Sequence, residues 1–210
     1  MARTLEDMGY AAPTPIQEAV IPLVRAGQDV VGQAQTGTGK TAAFGIPLVE
    51  ALNPDIREVQ ALVLVPTREL AVQVRGEITR MGRFCDLRSV AIYGGQSIVR
   101  QLEALQKGAH IIVATPGRLM DHMDRGTVQL GRLRFVVLDE ADEMLDIGFA
   151  DDIRRILRHT PPSRQTLLLC ATMPDRLRRL ARQYMKEPAW ILVGGDAEPV
   201  EDVEQIYFEV

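Results

Sequence analysis

A run of eight residues near the N-terminus combines residue types and a spacing that suit the binding of phosphates. The run has the P-loop spacing A/G-x-x-x-x-G-K-S/T and consists of Ala34, Gln35, Thr36, Gly37, Thr38, Gly39, Lys40 and Thr41. Its glycines allow a tight turn whose backbone N–H groups point inward, and the N-terminus of a following helix adds partial positive charge. The run therefore predicts a nucleoside triphosphate as ligand.

Two side chains at the end of this run have separate predicted tasks. Lys40 is expected to reach the outer phosphates of the nucleotide. Thr41 comes next in the chain, and its hydroxyl is expected to ligate the Mg²⁺ that bridges those phosphates. The pair thus predicts both the triphosphate and its metal ion.

A cluster of acids later in the chain supplies the second half of the predicted site. The apolar run at residues 135–138 is typical of a buried parallel strand, and it ends in Asp139, Glu140, Ala141 and Asp142. Ligands bind at the carboxyl ends of strands in open α/β sheets, so we assign Asp139 to the Mg²⁺. Glu140 is placed to orient and deprotonate a water molecule for in-line attack on the terminal phosphate. Any one of these acids alone could be a helix N-cap, but that alternative does not explain the accompanying P-loop.

Composition limits the class of protein. The chain has 210 residues, 46% of them hydrophobic, and a net charge of −4, which predicts one domain with a substantial core. No apolar stretch approaches the roughly 20 residues of a membrane span, so we expect a cytoplasmic protein without a membrane partner. Cys85 and Cys170 lie far apart and suggest neither a disulfide nor a metal site. With a negative net charge, any contact with nucleic acid must come from a local patch.

The elements that must position these residues alternate along the chain. Apolar strands are predicted at about 29–32, 61–65, 90–93, 110–114, 134–138, 166–170 and 190–193, with amphipathic helices in most intervals. A further helix is predicted after Thr14, with Pro15 in its first turn and an apolar face at residues 16, 19, 20 and 23. This alternation predicts a mostly parallel α/β sheet with helices on both faces, a RecA-like fold. A barrel of eight β/α units would need more chain.

Six ordered motifs resemble those of the first RecA-like domain of DEAD-box RNA helicases. Residues 9–17 match the Q motif of that family and residues 34–41 its P-loop. The other matches are Pro66-Thr67-Arg68-Glu69-Leu70, Gly94-Gly95, Thr115-Pro116-Gly117-Arg118 and Asp139-Glu140-Ala141-Asp142. The resemblance runs from about Gly9 to the C-terminus. It implies a helicase ATP-binding domain over residues 1–195 and the start of an interdomain linker at 196–210.

The resemblance also implies how the nucleotide base is read. Gln17 is expected to contact the adenine edge through its amide, which favours ATP over GTP. Tyr10 either contacts the base or is a core aromatic residue. The family usually places another aromatic residue further upstream, which this chain starts too late to contain, so we expect weakened nucleotide affinity.

The remaining motifs are implied to grip RNA. In the family, residues just beyond strand ends hold the sugar-phosphate backbone of one strand, which fixes register without reading sequence. The matching residues here are Pro66, Thr67, Arg68, Gly94, Gly95, Thr115, Gly117 and Arg118. Glycines at 94 and 95 would permit close approach of a backbone, although a turn or a surface charge is the simpler interpretation of each residue alone.

One segment departs from the family pattern. Cys170, Ala171 and Thr172 stand where the family normally has Ser-Ala-Thr, a motif thought to link the acids to strand separation. A thiol is a weaker hydrogen-bonding group than a hydroxyl, so a bond from Cys170 to Asp142 should loosen, whereas Thr172 can still supply one. Either the link between hydrolysis and unwinding is affected, or Cys170 is simply a small buried residue at a strand end.

By this resemblance the chain is half of an active site. The family's second RecA-like domain supplies arginines that reach the γ-phosphate, and no His-Arg-x-Gly-Arg motif occurs in this sequence. We therefore expect a monomeric domain that binds ATP and hydrolyses it poorly, with single-stranded and duplex RNA and the second domain as partners. A nucleotide-dependent RNA-binding module and a DNA-directed helicase remain alternatives.

Overall fold

Seven short strands form one sheet whose order is β3-β4-β2-β5-β6-β1-β7. The computed structural model describes residues 2–194, with side chains from Thr4 onward, so the predicted linker at 196–210 lies outside the described residues. All six strand pairings are parallel. The strands are β1 (Val30–Gln33), β2 (Ala61–Leu64), β3 (Ser89–Ile92), β4 (Ile111–Ala114), β5 (Phe135–Leu138), β6 (Gln165–Cys170) and β7 (Ala189–Leu192).

The strands form where apolar runs are buried on both faces of the sheet. β2, β4, β5 and β6 are buried along their whole length, as expected for central parallel strands covered by helices. The edge strand β7 is only partly covered and exposes Trp190 and Leu192. All seven predicted strands are confirmed, and each boundary agrees to within about one residue.

Helices cover both faces of the sheet. They are α1 (Ala2–Asp7), α2 (Pro15–Arg25), α3 (Lys40–Ala51), α4 (Arg68–Met81), α5 (Ile98–Gln106), α6 (Pro116–Asp124), α7 (Ala141–Ile147), α8 (Ala150–Arg158) and α9 (Asp175–Tyr184). Two apolar clusters form the core. One packs α2, α3 and α4 against the sheet, with Phe44 fully buried, and the other packs α6 to α9, with Leu119 fully buried. No helix within residues 2–194 is long and apolar enough to cross a membrane.

The strand order divides one edge of the sheet into two halves. Because all strands run parallel, their carboxyl ends share an edge, where ligands bind in open α/β sheets. The loops after β1, β5 and β6 lie side by side, and we call residues 34–41, 139–142 and 170–173 the P-loop half. The loops after β2, β3 and β4 are also neighbours, and we call residues 66–70, 93–97 and 115–118 the glycine-loop half. The fold thus gathers motifs that are far apart in sequence.

Candidate nucleotide and nucleic-acid site

The P-loop is a turn between β1 and α3 that depends on two left-handed glycines. Gly37 has φ +80° and Gly39 has φ +91°, values that L side chains rarely adopt. A Cβ added at Gly39 would lie 2.4 Å from Nε2 of Gln17, so the position also lacks room for a side chain. Gln35 and Thr36 are exposed, and the Thr38 hydroxyl donates to the Gln35 carbonyl across the turn (2.7 Å).

Lys40 is a buried cation at the first position of α3. Its side-chain ammonium donates to the carbonyl oxygen of Ala34 at 2.7 Å, across the mouth of the loop. No carboxylate within the described part of the chain lies within 4 Å of this nitrogen. The charge of Lys40 acts on Asp139 and Glu140 without a direct ion pair to either, so a phosphate can take the close position at this nitrogen.

Two residues at the N-terminal end of α2 form hydrogen bonds with the P-loop. The Thr14 hydroxyl donates to the Thr38 carbonyl (2.8 Å), and the Gln17 amide nitrogen donates to the Gly39 carbonyl (3.1 Å). The Gln17 amide oxygen accepts from the backbone N–H of Thr14 (3.1 Å). Gln17 is 2% exposed, and its amide retains one free donor and one free acceptor position for a further partner. The role of Thr14 in this clasp was missed by the sequence analysis.

Asp139 and Glu140 extend the site from the end of β5. Asp139 is buried, and burial raises its pKa from 3.8 to about 6, although Lys40 and the N–H of Glu140 lower it. That N–H donates to a carboxylate oxygen of Asp139 at 3.1 Å. Glu140 has a left-handed backbone with φ +50°, a conformation that residues other than glycine seldom adopt. Burial raises the pKa of Glu140, and a hydrogen bond with Glu143 and the charge of Asp139 raise it further.

Asp142 connects the acids at the end of β5 to the loop after β6. One of its carboxylate oxygens accepts from the N–H groups of Ala171 (3.2 Å) and Thr172 (2.8 Å) and from the Thr172 hydroxyl (2.9 Å). Cys170 instead packs in the core, where burial and the charge of Asp142 raise its pKa to about 12. Backbone groups and Thr172 therefore hold Asp142, and the thiol of Cys170 is a buried apolar side chain.

These residues enclose two adjoining cavities. The first, of about 410 Å³, is lined by P-loop residues, Asp139, Glu140 and side chains of α4. The second, of about 320 Å³, is lined mostly by apolar residues around Gln17, and Tyr10 borders both. One cavity therefore has charged walls suited to phosphates, and the other has walls suited to a flat organic ring.

A divalent metal would find only a few protein ligands in the first cavity. Thr41 and Asp139 both line it. No group of three or more His, Cys, Asp or Glu side chains within residues 4–194 is arranged to hold a metal by itself. Mg²⁺ in nucleotide sites is usually held by one or two carboxylates together with substrate phosphates and water. The donor set therefore fits a metal that arrives with a phosphate ligand.

The glycine-loop half presents arginines beside an open backbone. Arg68, exposed at the start of α4, places its guanidinium 5.8 Å from the centre of the Tyr93 ring. Gly95 has φ +80°, and a Cβ there would lie 3.3 Å from the Arg68 guanidinium. Gly94 has open space around it. The structure therefore brings Arg68 and both glycines together.

Arg118 joins this cluster from α6. Its guanidinium donates to the Gln96 carbonyl at 3.0 Å and lies 3.8 Å from the carboxylate of Asp121. Thr115 and Gly117 lie at the start of the same helix, Gly117 exposed and Thr115 half-buried. In the neighbouring loop Pro66 is buried, and Thr67 caps α4 by accepting from the Leu70 N–H (3.3 Å). Gln96, which ties Arg118 to the glycine loop through its carbonyl, has no distinctive signal in the sequence.

Comparison with known proteins identifies similar sequences. Residues 14–180 match the family described as DEAD/DEAH box helicase. The chain is 53% identical over 208 residues to the DEAD-box ATP-dependent RNA helicase CshA of Geobacillus kaustophilus, covering 99% of this chain and 44% of that protein. It is 50% identical over 210 residues to the helicase of the same name from Bacillus subtilis, covering 100% of this chain and 42% of that protein. The chain thus spans less than half the length of these relatives.

Solved structures show the same fold. The crystal structure of a DEAD box protein from the hyperthermophile Methanococcus jannaschii has a TM-score of 0.87 and 43% identity, covering 90% of this chain and 52% of that one. The crystal structure of a hypothetical ATP-dependent RNA helicase from Sulfolobus tokodaii has a TM-score of 0.85 and 37% identity, covering 91% of this chain and 56% of that one. These matches confirm the RecA-like fold expected from the sequence.

Proposed function

The chain belongs to the DEAD/DEAH box helicase family, and on that premise we propose that it is the ATP-binding domain of an RNA-dependent ATPase. In this proposal the whole protein separates short RNA duplexes when two RecA-like domains close on ATP. The domain at residues 1–195 supplies the nucleotide pocket and part of the RNA grip.

The buried ammonium of Lys40 is the observation that carries the proposal. No carboxylate among the described residues lies within 4 Å of it, and it bonds instead to the Ala34 carbonyl, which an incoming phosphate can replace. The left-handed glycines and the N-terminus of α3 surround the same cavity. An anion with charge concentrated at its end, such as the triphosphate of ATP, fits this arrangement.

Metal binding in this proposal uses Thr41 and Asp139, partly through water. Mg²⁺, when bound, would neutralise charge on the two outer phosphates. Burial raises the pKa of Asp139 and so opposes its ionisation, whereas a nearby dication would favour the ionised form. The metal would therefore add to the favourable charge that Lys40 already supplies.

Glu140 serves as the general base in the proposed hydrolysis. Its carboxylate would take a proton from water as that water attacks the γ-phosphate in line, and ADP would leave. The raised pKa of Glu140 makes it a stronger base near neutral pH than an ordinary glutamate. Asp139 is buried whereas Glu140 is half-buried, so the two acids can act on different groups.

The base and the phosphates are read by connected residues. We propose that adenine occupies the apolar cavity beside Gln17, whose amide has one donor and one acceptor position free, with Tyr10 at its border. Because Gln17 also holds the Gly39 carbonyl, occupation of the base site would reinforce the phosphate loop. This coupling favours adenine nucleotides over an isolated triphosphate.

Two further contacts belong to the proposed working cycle. Asp142 and Thr172 would transmit the state of the acids to the loop after β6, through bonds that do not require Cys170. In the glycine-loop half, Arg68 and Arg118 would pair with RNA phosphates beside the open backbone of Gly95. The other residues assigned to this grip are Pro66, Thr67, Gly94, Thr115 and Gly117.

The proposal also specifies partners. Single-stranded and duplex RNA bind through their backbones, and the second RecA-like domain of the longer protein supplies arginines to the γ-phosphate. The chain alone is then a monomer that binds ATP and hydrolyses it slowly. The free thiols of Cys85 and Cys170 suit a reducing compartment such as the cytoplasm.

The test compares wild type with Glu140→Gln, using a fluorescent adenine nucleotide for binding and phosphate release for turnover, with and without single-stranded RNA. Turnover is measured in the chain alone and in a longer chain that includes the second domain. The matched control is Asp146→Asn, an exposed acid on α7, the helix that follows Glu140. We expect Glu140→Gln to keep nucleotide affinity within about threefold and to lower RNA-stimulated turnover at least about 100-fold.

The outcomes separate the candidate functions. Failure of wild type to bind adenine nucleotide would refute the proposal outright. Nucleotide-dependent RNA binding without stimulated turnover in the longer chain would favour a binding module. RNA-stimulated turnover in the chain alone would show that the trans-domain arginines are not required, and equal stimulation by DNA would remove the preference for RNA.

A further inference from the structure

A buried glutamine lies directly behind the glycine loop. Gln101, on α5, is 2% exposed. Its amide nitrogen donates to the Tyr93 carbonyl at 2.8 Å and to the side-chain oxygen of Gln96 at 3.3 Å. Both acceptors belong to residues 93–97, on either side of Gly94 and Gly95. A single side chain therefore holds both ends of the loop.

His122, on α6, completes the bonding of this amide. It is fully buried, with its Nε2 atom 3.2 Å from the Gln101 amide oxygen and its Nδ1 atom 2.8 Å from the Thr127 hydroxyl. Burial lowers the pKa of His122, and the charge of Arg118 lowers it further, so the ring is neutral near pH 7.

The Gln101 amide decides where we place the single ring proton. Both amide hydrogens of Gln101 point to the loop, so its oxygen needs a donor, and we assign the proton to Nε2 of His122. Nδ1 then faces the Thr127 hydroxyl, whose one proton is shared between Nδ1 and the backbone carbonyl of His122. Every polar side-chain atom of Gln101 and His122 has a partner, which is the condition under which a buried polar network stabilises one geometry.

Both arginines of the glycine-loop half contact this same loop. Arg118 donates to the Gln96 carbonyl, and Arg68 lies over the ring of Tyr93. Arg118 lies four residues before His122 on α6, so one helix carries an arginine in front of the loop and a histidine behind it. A shift of the loop would therefore change the distance between the two guanidinium groups.

We propose that Gln101 and His122 are positioning residues that hold the glycine loop, and through it Arg68 and Arg118, in the arrangement that binds the phosphates of an RNA strand. Neither residue touches the nucleic acid. This inference rests on the proposed function, because it assumes that the glycine-loop half binds an RNA backbone. RNA affinity then depends on two buried side chains that do not contact the RNA.

The decisive variant is Gln101→Leu, and the chain contains a matched control. Gln60 is 1% exposed and makes the same kinds of bonds, donating to the carbonyls of Asn53 and Ile56 and accepting from the Asn53 N–H. It precedes β2, at the edge of the sheet opposite the carboxyl ends of the strands. Gln60→Leu therefore removes a comparable buried network without touching the glycine loop.

Binding of a short fluorescein-labelled oligouridylate is measured by anisotropy, and binding of a fluorescent adenine nucleotide is measured in parallel. We expect Gln101→Leu to weaken oligouridylate binding about tenfold and nucleotide binding less than about twofold. Gln60→Leu should change neither by more than about twofold. His122→Leu should behave like Gln101→Leu, and His122→Gln, whose amide can still donate to Gln101, should restore most of the affinity.

Hydrogen exchange gives a readout that does not need RNA. Amides of residues 93–97 should exchange at least about tenfold faster in Gln101→Leu than in wild type, and they should be unchanged in Gln60→Leu. Equal oligouridylate affinity in wild type and Gln101→Leu, or an unchanged loop, would overturn the inference while leaving the proposed function intact. No oligouridylate binding by wild type would overturn both, and equal losses in both leucine variants would reduce the effect to general destabilisation.

Discussion

The two halves of the sheet edge at the carboxyl ends of the strands place their charged groups differently. In the P-loop half, Lys40 and Asp139 are buried, and the hydrogen-bond partners of their side chains are backbone groups. In the glycine-loop half, Arg68 is exposed at the surface, and the buried polar groups, Gln101 and His122, lie behind the loop. In the P-loop half the charged groups are buried, whereas in the glycine-loop half the buried groups are the neutral side chains that support the loop.

This difference matches the two proposed ligands. A triphosphate concentrates charge in a small volume, and buried partners interact with it strongly because the local dielectric is low. An RNA strand spreads its charge along a backbone, so an exposed Arg68 and a mostly covered Arg118 at the surface suffice if their arrangement is held. The cost of the first strategy is that buried charges have no direct ion pair in the free protein. The second strategy requires a rigid scaffold.

The largest effect should come from Lys40→Met, which replaces the buried cation with an apolar chain of similar length. Loss of two charge-assisted bonds to phosphate should raise the Kd for adenine nucleotide about 1,000-fold, or ~4 kcal/mol. RNA affinity measured without nucleotide should stay within about twofold. Arg118→Met should give the reverse pattern in the same two titrations. If either variant impaired both ligands equally, the division of the edge into two halves would be wrong.

Asp139→Asn should stabilise the free protein while removing nucleotide binding. Burial raises the pKa of Asp139 from 3.8 to about 6, so keeping it ionised opposes folding by about 3 kcal/mol. The folded state binds this proton more tightly than the unfolded state, so the penalty is complete above the folded pKa and absent below the unfolded one. The gain should therefore appear in urea unfolding at pH 8 with EDTA and disappear near pH 3.5.

The matched variant for this prediction lies in the other half. Asp121 is exposed and 3.8 Å from the Arg118 guanidinium. Asp121→Asn should change stability by less than about 0.5 kcal/mol, because exposed ion pairs contribute little. A stabilisation of similar size in both variants would indicate a general charge effect instead of a buried carboxylate.

Identical glycine substitutions in the two halves should have unequal costs. Gly39→Ala introduces a Cβ 2.4 Å from Gln17 at φ +91°, which should reduce stability by about 2 to 3 kcal/mol and weaken nucleotide binding. Gly94→Ala meets no atom within 4 Å and should cost less than about 0.5 kcal/mol. Denaturant unfolding measures both. Equal costs would mean that the clasp between Gln17 and Gly39 is not rigid.

The smallest predicted effect concerns two buried histidines. Burial is the main cause that lowers the pKa of His110, just before β4, and of His122, behind the glycine loop. As pH falls below about 6.5, the unfolded state binds protons first, so stability decreases by up to about 0.7 kcal/mol per histidine between pH 7 and 6. The stability difference between wild type and the His110→Gln, His122→Gln double variant should follow this slope, which is opposite to that of Asp139.

Much of the fold was predictable because local patterns and tertiary structure agree. Apolar runs of four to six residues bounded by turn residues became parallel strands at the predicted positions. The P-loop was predictable because its chemistry depends on backbone conformation and on two adjacent side chains. The helix after Thr14 was also predicted, although Gln17 and Val24 are more deeply buried than Ala19 and Leu23.

The supporting contacts were not predictable, because they join residues that are distant in the chain. The Thr14 hydroxyl reaches a carbonyl 24 residues away, and His122 reaches Gln101 across 21 residues. Side-chain hydrogen bonds to backbone carbonyls cannot be recognised from composition or from hydrophobic periodicity. A glutamine in a helix or a histidine near a helix end has no distinctive signal until the neighbouring element is placed.

By itself, the sequence determined the family, the order of strands and helices along the chain, and the residue types able to bind a triphosphate. Those features follow from spacing within single segments, where the backbone limits what neighbours can do. Only the tertiary structure decided which loops share an edge, that Cys170 faces the core, and that Gln101 and His122 lie behind the glycine loop. These depend on the parallel order β3-β4-β2-β5-β6-β1-β7. That order depends on how the apolar faces of helices and strands from the whole chain pack together, which no single segment decides.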